Sequence, residues 1–106
     1  MIDDDKLIRF NWNKYCSQNE HCEFFSYSSI IDFENNISNH INTDWIFIDS
    51  SLGNGIQGEL EAEKLFDKGF LNLYLTTSYD RQDFKNFPWI KNVVSKDPIV
   101  LRNMSL

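Results

Sequence analysis

Trp45-Ile46-Phe47-Ile48-Asp49-Ser50-Ser51-Leu52-Gly53-Asn54-Gly55-Ile56-Gln57-Gly58 runs from apolar residues into one carboxylate and then breaks into a small, glycine-rich turn. A short apolar run bounded by turn residues reads as a buried strand. A strand that ends on an aspartate and opens into a loop presents that aspartate at the edge of a sheet. In open α/β sheets the carboxyl ends of the strands are where ligands bind. Taken alone, Asp49 serves equally well as the cap of a turn, so its neighbours along the chain have to decide its role.

Downstream, Gly58-Glu59 open a predicted helix carrying Leu60, Ala62, Leu65 and Phe66, and Gly69 stands where a left-handed C-cap is wanted. Residues 71–77 form a strand-like run ending on the hydroxyls of Thr76 and Thr77. Residues 80–87 suit a short helix that Pro88 must stop. Residues 92–95 make a last brief strand, closed by Lys96-Asp97-Pro98, and the tail from Ile99 shows no helical face.

Upstream, Ser28 or Ser29 can cap a helix with Ile30, Phe33, Ile37 and Ile41 on one side, before a polar, turn-like stretch over 39–44. Cys22-Glu23-Phe24-Phe25-Ser26-Tyr27 is short and aromatic, as strands are. Ile8, Trp12, Tyr15 and Cys16 recur at helical spacing and predict a helix over about 6–18, with Asp5 as its N-cap. Strands alternate with helices, and each strand is apolar along its whole length. That is the pattern of a parallel sheet covered on both faces, so the fold class is three-layered α/β. The chain reads as a single domain over residues 1–106.

The 106 residues are 42% hydrophobic and 15% aromatic, a globular rather than a disordered composition. The formal charge of −6 repels phosphate backbones and anionic lipid, which argues against direct partnership with nucleic acid or membrane. No apolar run approaches a membrane span and no basic-then-apolar leader opens the chain, so the expected location is cytoplasmic. Cys16 and Cys22 are too few for a disulfide framework, and with His21 they lack zinc-type spacing; ordinary reduced, packed thiols are expected.

Asp3-Asp4-Asp5 is a run of adjacent carboxylates, which are usually solvated or cation-bound. The strands end on Asp49, Thr77 and Lys96, and parallel strands bring their carboxyl ends to one edge. Carboxylates there can hold Mg²⁺, the metal and a lysine can neutralise phosphoryl oxygens, and one carboxylate can attack phosphorus. Asp3-Asp4, Ile46-Phe47-Ile48-Asp49, Leu75-Thr76-Thr77-Ser78 and Val93-Val94-Ser95-Lys96 together resemble the response-regulator receiver domain of two-component signalling. The order and spacing of these motifs span nearly the whole chain.

The resemblance implies a flavodoxin-like sheet of order 2-1-3-4-5, with Asp49 phosphorylated by a partner histidine kinase or histidine phosphotransfer protein. It implies Mg²⁺ held by Asp3, Asp4, Asp49 and the backbone carbonyl of Ser51, with Asp4 preferred to Asp3 as a direct ligand. Thr77 then acts as the switch hydroxyl, Thr76 points into the core, and Lys96 pairs with the phosphoryl group. No catalytic turnover of an external substrate is expected.

The chain departs from the family pattern at several places. Asp97 stands between Lys96 and Pro98, Val93 occupies the usual aromatic switch position, and the loop after Asp49 has glycines where the family often has proline. The first strand is reduced to Met1-Ile2 and the last helix is short, features that suit a receiver excised from a hybrid kinase slightly better than a stand-alone one. A parallel sheet without its central strand leaves edges unpaired. Pro98-Ile99-Val100-Leu101 is the other β-prone segment, so a homodimer in which it fills that position by swapping is the expectation. Two alternatives stand beside the phosphoacceptor. One is a degenerate receiver that only binds partners. The other is a haloacid-dehalogenase-like phosphatase, which wants a second aspartate where this chain has Ser51.

Overall fold

The computed structural model describes residues 1–19, 22–78 and 86–104. Strands β1 (Trp45–Asp49), β2 (Asn72–Thr77) and β3 (Asn92–Ser95) form a parallel sheet in that order. The register pairs Ile48 with Leu75 and Leu75 with Val93. Asp49 thus lies beside Thr76, and Thr77 beside Ser95. The small α/β domain expected from the alternation of apolar runs is present.

The free edge of β1 is met by the start of the chain. Ile2 makes isolated parallel bridges to Ile48 on one side and Tyr27 on the other. Its N–H donates to Phe47 O at 2.8 Å and its carbonyl accepts from Asp49 N at 2.9 Å. Opposite, Tyr27 N donates to Met1 O at 2.9 Å and Asp3 N to Tyr27 O at 3.0 Å. Of the predicted strand over 22–27, only Tyr27 pairs in this way among the described residues. The position level with Ile2 is therefore taken, and the tail does not supply it. Pro98-Ile99 turn instead into α4 (Val100–Asn103), whose Leu101 is buried in the cluster that holds Met1 and Trp12. The segment expected from β-propensity to be a swapped strand is a helix in the structure, where tertiary burial of Leu101 overrides local propensity.

Alternation along the strands divides the core between the two faces of the sheet. Ile46, Ile48, Leu73 and Leu75 pack with Ile30 and Phe33 of α2 (Ile30–Asn35) and Ala62 and Leu65 of α3 (Gly58–Asp67). Phe47, Tyr74 and Val94 pack with Trp12 of α1 (Lys6–Ser17). Phe47 lies 5.1 Å from both the Trp12 and the Tyr74 ring centroids. Burying one such ring is worth about 2–3 kcal/mol. Those contacts fix α1 across the sheet. Asp5 caps α1 by accepting from Leu7 N at 2.9 Å, and the predicted face of Ile8, Trp12, Tyr15 and Cys16 is the one turned inward.

Three local expectations are corrected. The helix predicted to carry Ile30, Phe33, Ile37 and Ile41 stops at Asn35 and tightens into a 3₁₀ turn at Ile37–Asn39, leaving Ile41 66% exposed. His40 takes the inward place instead: it stacks on Phe33, contacts Tyr27 Oη through Nε2 at 2.7 Å and Asp44 Oδ2 through Nδ1 at 3.1 Å. Cys16 and Cys22 form a disulfide rather than packing as thiols. A turn at the end of α1, with Asn19 N bonded to Cys16 O and Cys22 N to Asn19 O, brings their Cα atoms to 5.3 Å. In α3, Leu60 and Phe66 stay substantially exposed while Ala62 and Leu65 are buried. Gly69 adopts φ +104° after that helix, as its sequence position predicted. The helix predicted over 80–87 lies mostly outside the described residues, as does His21. Among the described residues no helix is long and apolar enough to cross a membrane.

Candidate functional site

The candidate site forms where β1 ends. Asp49, the last residue of β1, is 3% exposed, and Asp3, one residue beyond the Ile2 bridge, is wholly buried. Lys96, directly after β3, spans the two: its Nζ lies 3.0 Å from Asp49 Oδ2 and 3.3 Å from Asp3 Oδ2. Residues separated by almost the whole chain thus converge through parallel strand order.

Backbone and side-chain bonds fix each member. Asp3 Oδ1 accepts from Asp5 N at 2.8 Å, which couples it to the start of α1. Arg9, on α1, donates through Nη1 to the Asp3 carbonyl at 2.6 Å. Trp12, three residues on and on the same helical face, donates from Nε1 to the Lys96 carbonyl at 2.8 Å. One helix therefore holds both the acidic segment and the lysine. Sequence reasoning placed Trp12 in the core and missed its indole bond; the Arg9/Trp12 spacing was the available signal.

On the other flank, Ser51 N donates to Asp49 Oδ1 at 3.1 Å. The loop beyond closes on itself through a Ser51–Gln57 bridge, with Gly53, Asn54 and Gly55 all at positive φ. Gly58 then presses α3 against the end of β1. A Cβ at Gly58 would fall 2.0 Å from the Asp49 carbonyl oxygen, so no side chain fits there. A Cβ at Gly53 would lie 3.3 Å from Asp4 Oδ2, which places the exposed Asp4 carboxylate over this loop.

Burial raises the Asp49 pKa above the ordinary carboxylate value, against the opposing pull of the Ser51 N–H and the Lys96 ammonium; Asp3 adds to the rise. Burial by itself would lower the Lys96 pKa, but the hydrogen bond to Asp49 and the charges of Asp3 and Asp49 outweigh it and hold the ammonium above its usual value. The protonated lysine is the counter-charge of the site.

Carboxylate oxygens of Asp3, Asp4 and Asp49 all lie within 4.8 Å of one another. Buried Asp3 Oδ2 has Lys96 for an ion pair but no hydrogen bond. An oxygen-only donor set whose buried Asp3 Oδ2 makes an ion pair but no hydrogen bond has the chemistry to take a hard divalent cation such as Mg²⁺. Of the remaining predicted residues, Ser51 enters through its N–H. Thr77 is buried one residue beyond the level of Asp49, and Thr76 is wholly buried with its hydroxyl oxygen lacking a hydrogen bond.

Compared with protein-family models, curated proteins and solved structures, the chain gives no match.

Proposed function

We propose that this chain is a phosphoacceptor receiver domain, carrying a phosphoryl group on Asp49. The observation that carries the reading is Lys96 Nζ bridging Asp49 and Asp3 at the carboxyl ends of parallel strands. The paired positions also support it. In this reading the isolated bridges of Ile2 and Tyr27 beside the three-stranded sheet mark where strands 1 and 2 of a flavodoxin-like order 2-1-3-4-5 would lie.

In this reading an Asp49 carboxylate oxygen attacks phosphorus of a phosphohistidine on a histidine kinase or phosphotransfer protein. The P–O bond forms as the P–N bond breaks, and the imidazole leaves with the electron pair. Asp3, Asp4 and Asp49 would hold a Mg²⁺ ion, with the Ser51 carbonyl as a further oxygen, and that ion would neutralise charge on the phosphoryl oxygens. Lys96 moves from its carboxylate partners to a phosphoryl oxygen, keeping its proton throughout. Ser51 N–H holds the non-attacking oxygen of Asp49 and so aims the other. Thr77 supplies the hydroxyl that answers the new charge.

The test is incubation with Mg²⁺ and phosphoramidate, followed by intact mass measurement. A single adduct of one phosphoryl group, lost in Asp49→Asn and in EDTA, is the expected result. A folded protein that gains no adduct is a partner-binding module instead, and continuous release of phosphate from many phosphoesters marks a phosphatase.

A further inference from the structure

Strand order places Thr76 between the acceptor aspartate and the lysine. β2 lies between β1 and β3, so a side chain reaching from Lys96 to Asp49 has to pass over β2. Neighbouring strands are about 4.8 Å apart, and the crossing covers about 10 Å. The β2 residue at that level is Thr76, which pairs with Asp49 on one side and with Val94 on the other.

Paired residues of parallel strands point to the same face, and alternation along each strand fixes which one. Phe47 and Tyr74 pack against α1, so Asp49 and Thr76, two residues further along, point to the α1 side as well. Lys96 follows Val94 of the same cluster by two residues, and its carbonyl meets Trp12 of α1. Asp3 comes one residue after the Ile2–Ile48 bridge and lies level with Asp49, its carbonyl held by Arg9 of α1. Thr77 stands one residue beyond Thr76 and belongs by the same alternation to the face of Leu75.

Thr76 is wholly buried, and its hydroxyl oxygen has no hydrogen-bond partner. A buried hydroxyl in that state costs free energy that an apolar residue of the same shape would not. Valine has that shape and suits a strand equally well. The Lys96 ammonium meanwhile faces Asp49 and Asp3. An ammonium has three protons and no acceptor, whereas a hydroxyl oxygen accepts as well as donates. The two groups complement one another as soon as the carboxylates cease to hold the lysine.

We propose that Thr76 is a positioning residue for Lys96: when the lysine releases Asp3 and Asp49, Thr76 Oγ1 accepts one of its protons and holds the ammonium over β2, beside Asp49. The inference rests on the phosphoacceptor reading for the movement of Lys96 and adds the residue that receives it. A cation held by Asp3, Asp4 and Asp49 repels the ammonium, so cation binding draws on the same release.

The test compares the parent with Thr76→Val and Thr76→Ser. In EDTA the Thr76→Val urea midpoint is at or above that of the parent, because the hydroxyl makes no bond in that state. Calorimetric titration with Mg²⁺ gives a dissociation constant about tenfold weaker for Thr76→Val and within about twofold of the parent for Thr76→Ser, the factor expected of one charge-assisted hydrogen bond. With Mg²⁺ and phosphoramidate, the adduct forms about tenfold more slowly in Thr76→Val and at nearly the parent rate in Thr76→Ser. A purely structural threonine would lower the midpoint in EDTA and leave the Mg²⁺ constant unchanged. That pattern overturns the proposal, as do equal constants and rates in Thr76→Val, or a parent that binds no Mg²⁺. Mg²⁺ constants that differ as expected, in a protein that takes no phosphoryl group, uphold Thr76 as the support of the lysine and overturn the phosphoacceptor reading alone.

Discussion

Removing the Lys96 charge tests the electrostatic reading of the site directly. In Lys96→Met the stem is kept and the ammonium is lost, so packing changes little. Nζ stands 3.0 Å from Asp49 Oδ2 and 3.3 Å from Asp3 Oδ2. At an effective dielectric constant of about 20, each attraction is about 5 kcal/mol before desolvation. The two carboxylates have oxygens within 4.8 Å of each other, and at that separation they repel by about 3–4 kcal/mol on the same scale. Without the lysine, two buried like charges remain unpaired. A loss of about 3–5 kcal/mol follows, the usual result of deleting one partner of a buried pair.

The assay is urea unfolding at pH 7 in EDTA for the parent, Lys96→Met, Asp49→Asn and the double variant. With Asp49 neutral the lysine has one charge left to satisfy, so its removal costs about 2 kcal/mol less than in the parent. Equal losses in both backgrounds, to within about 0.5 kcal/mol, refute the shared-counterion account.

The pH dependence has a definite sign. The folded Lys96 pKa lies above its ordinary value of 10.5, so its contribution is complete below pH 10.5 and is lost as pH rises through the folded value. The parent loses stability in that alkaline window, and Lys96→Met lacks this component. The Asp49 pKa is raised by burial, so its favourable contribution is present in acid and lost as pH rises through the raised value. Asp49→Asn is accordingly more stable than the parent at pH 7.

Two further outcomes follow from the geometry around the site. Gly58→Ala puts a methyl against the Asp49 carbonyl and forces α3 and the end of β1 apart; urea unfolding shows a loss of about 2–3 kcal/mol, and an unchanged midpoint refutes the close approach. Reducing Cys16–Cys22 with dithiothreitol releases a short loop at the end of α1 and lowers stability by about 2 kcal/mol on the chain-entropy account, readable as a fall in the urea midpoint that Cys22→Ser lacks.

Strand and helix placement was legible from the chain because it rests on local periodicity. The runs at 45–49, 72–77 and 92–95 are apolar and short, and Asp5 precedes a helical repeat that needs a cap. Asp49 at a strand end could be read the same way, from the abrupt change at Ser50. Where local pattern and packing compete, packing decided. Ile41 continues the helical repeat but is exposed, because His40 finds Phe33, Tyr27 and Asp44 one residue earlier. The tail is β-prone by composition yet helical in place, because Leu101 is buried with Met1 and Trp12.

The sequence by itself determined which residues are candidates for the site, since residue type and strand-end position are properties of short segments. Only the tertiary structure decided that Asp3, Asp49 and Lys96 form one charge cluster, that Trp12 and Arg9 hold it from a single helix, and that Ile2 is paired on both sides. Those facts depend on strand order and register, which join residues far apart in the chain. No local pattern encodes such distances. Asp49, first readable as a turn cap, becomes a buried carboxylate facing a fixed cation once the strands that carry them lie in register.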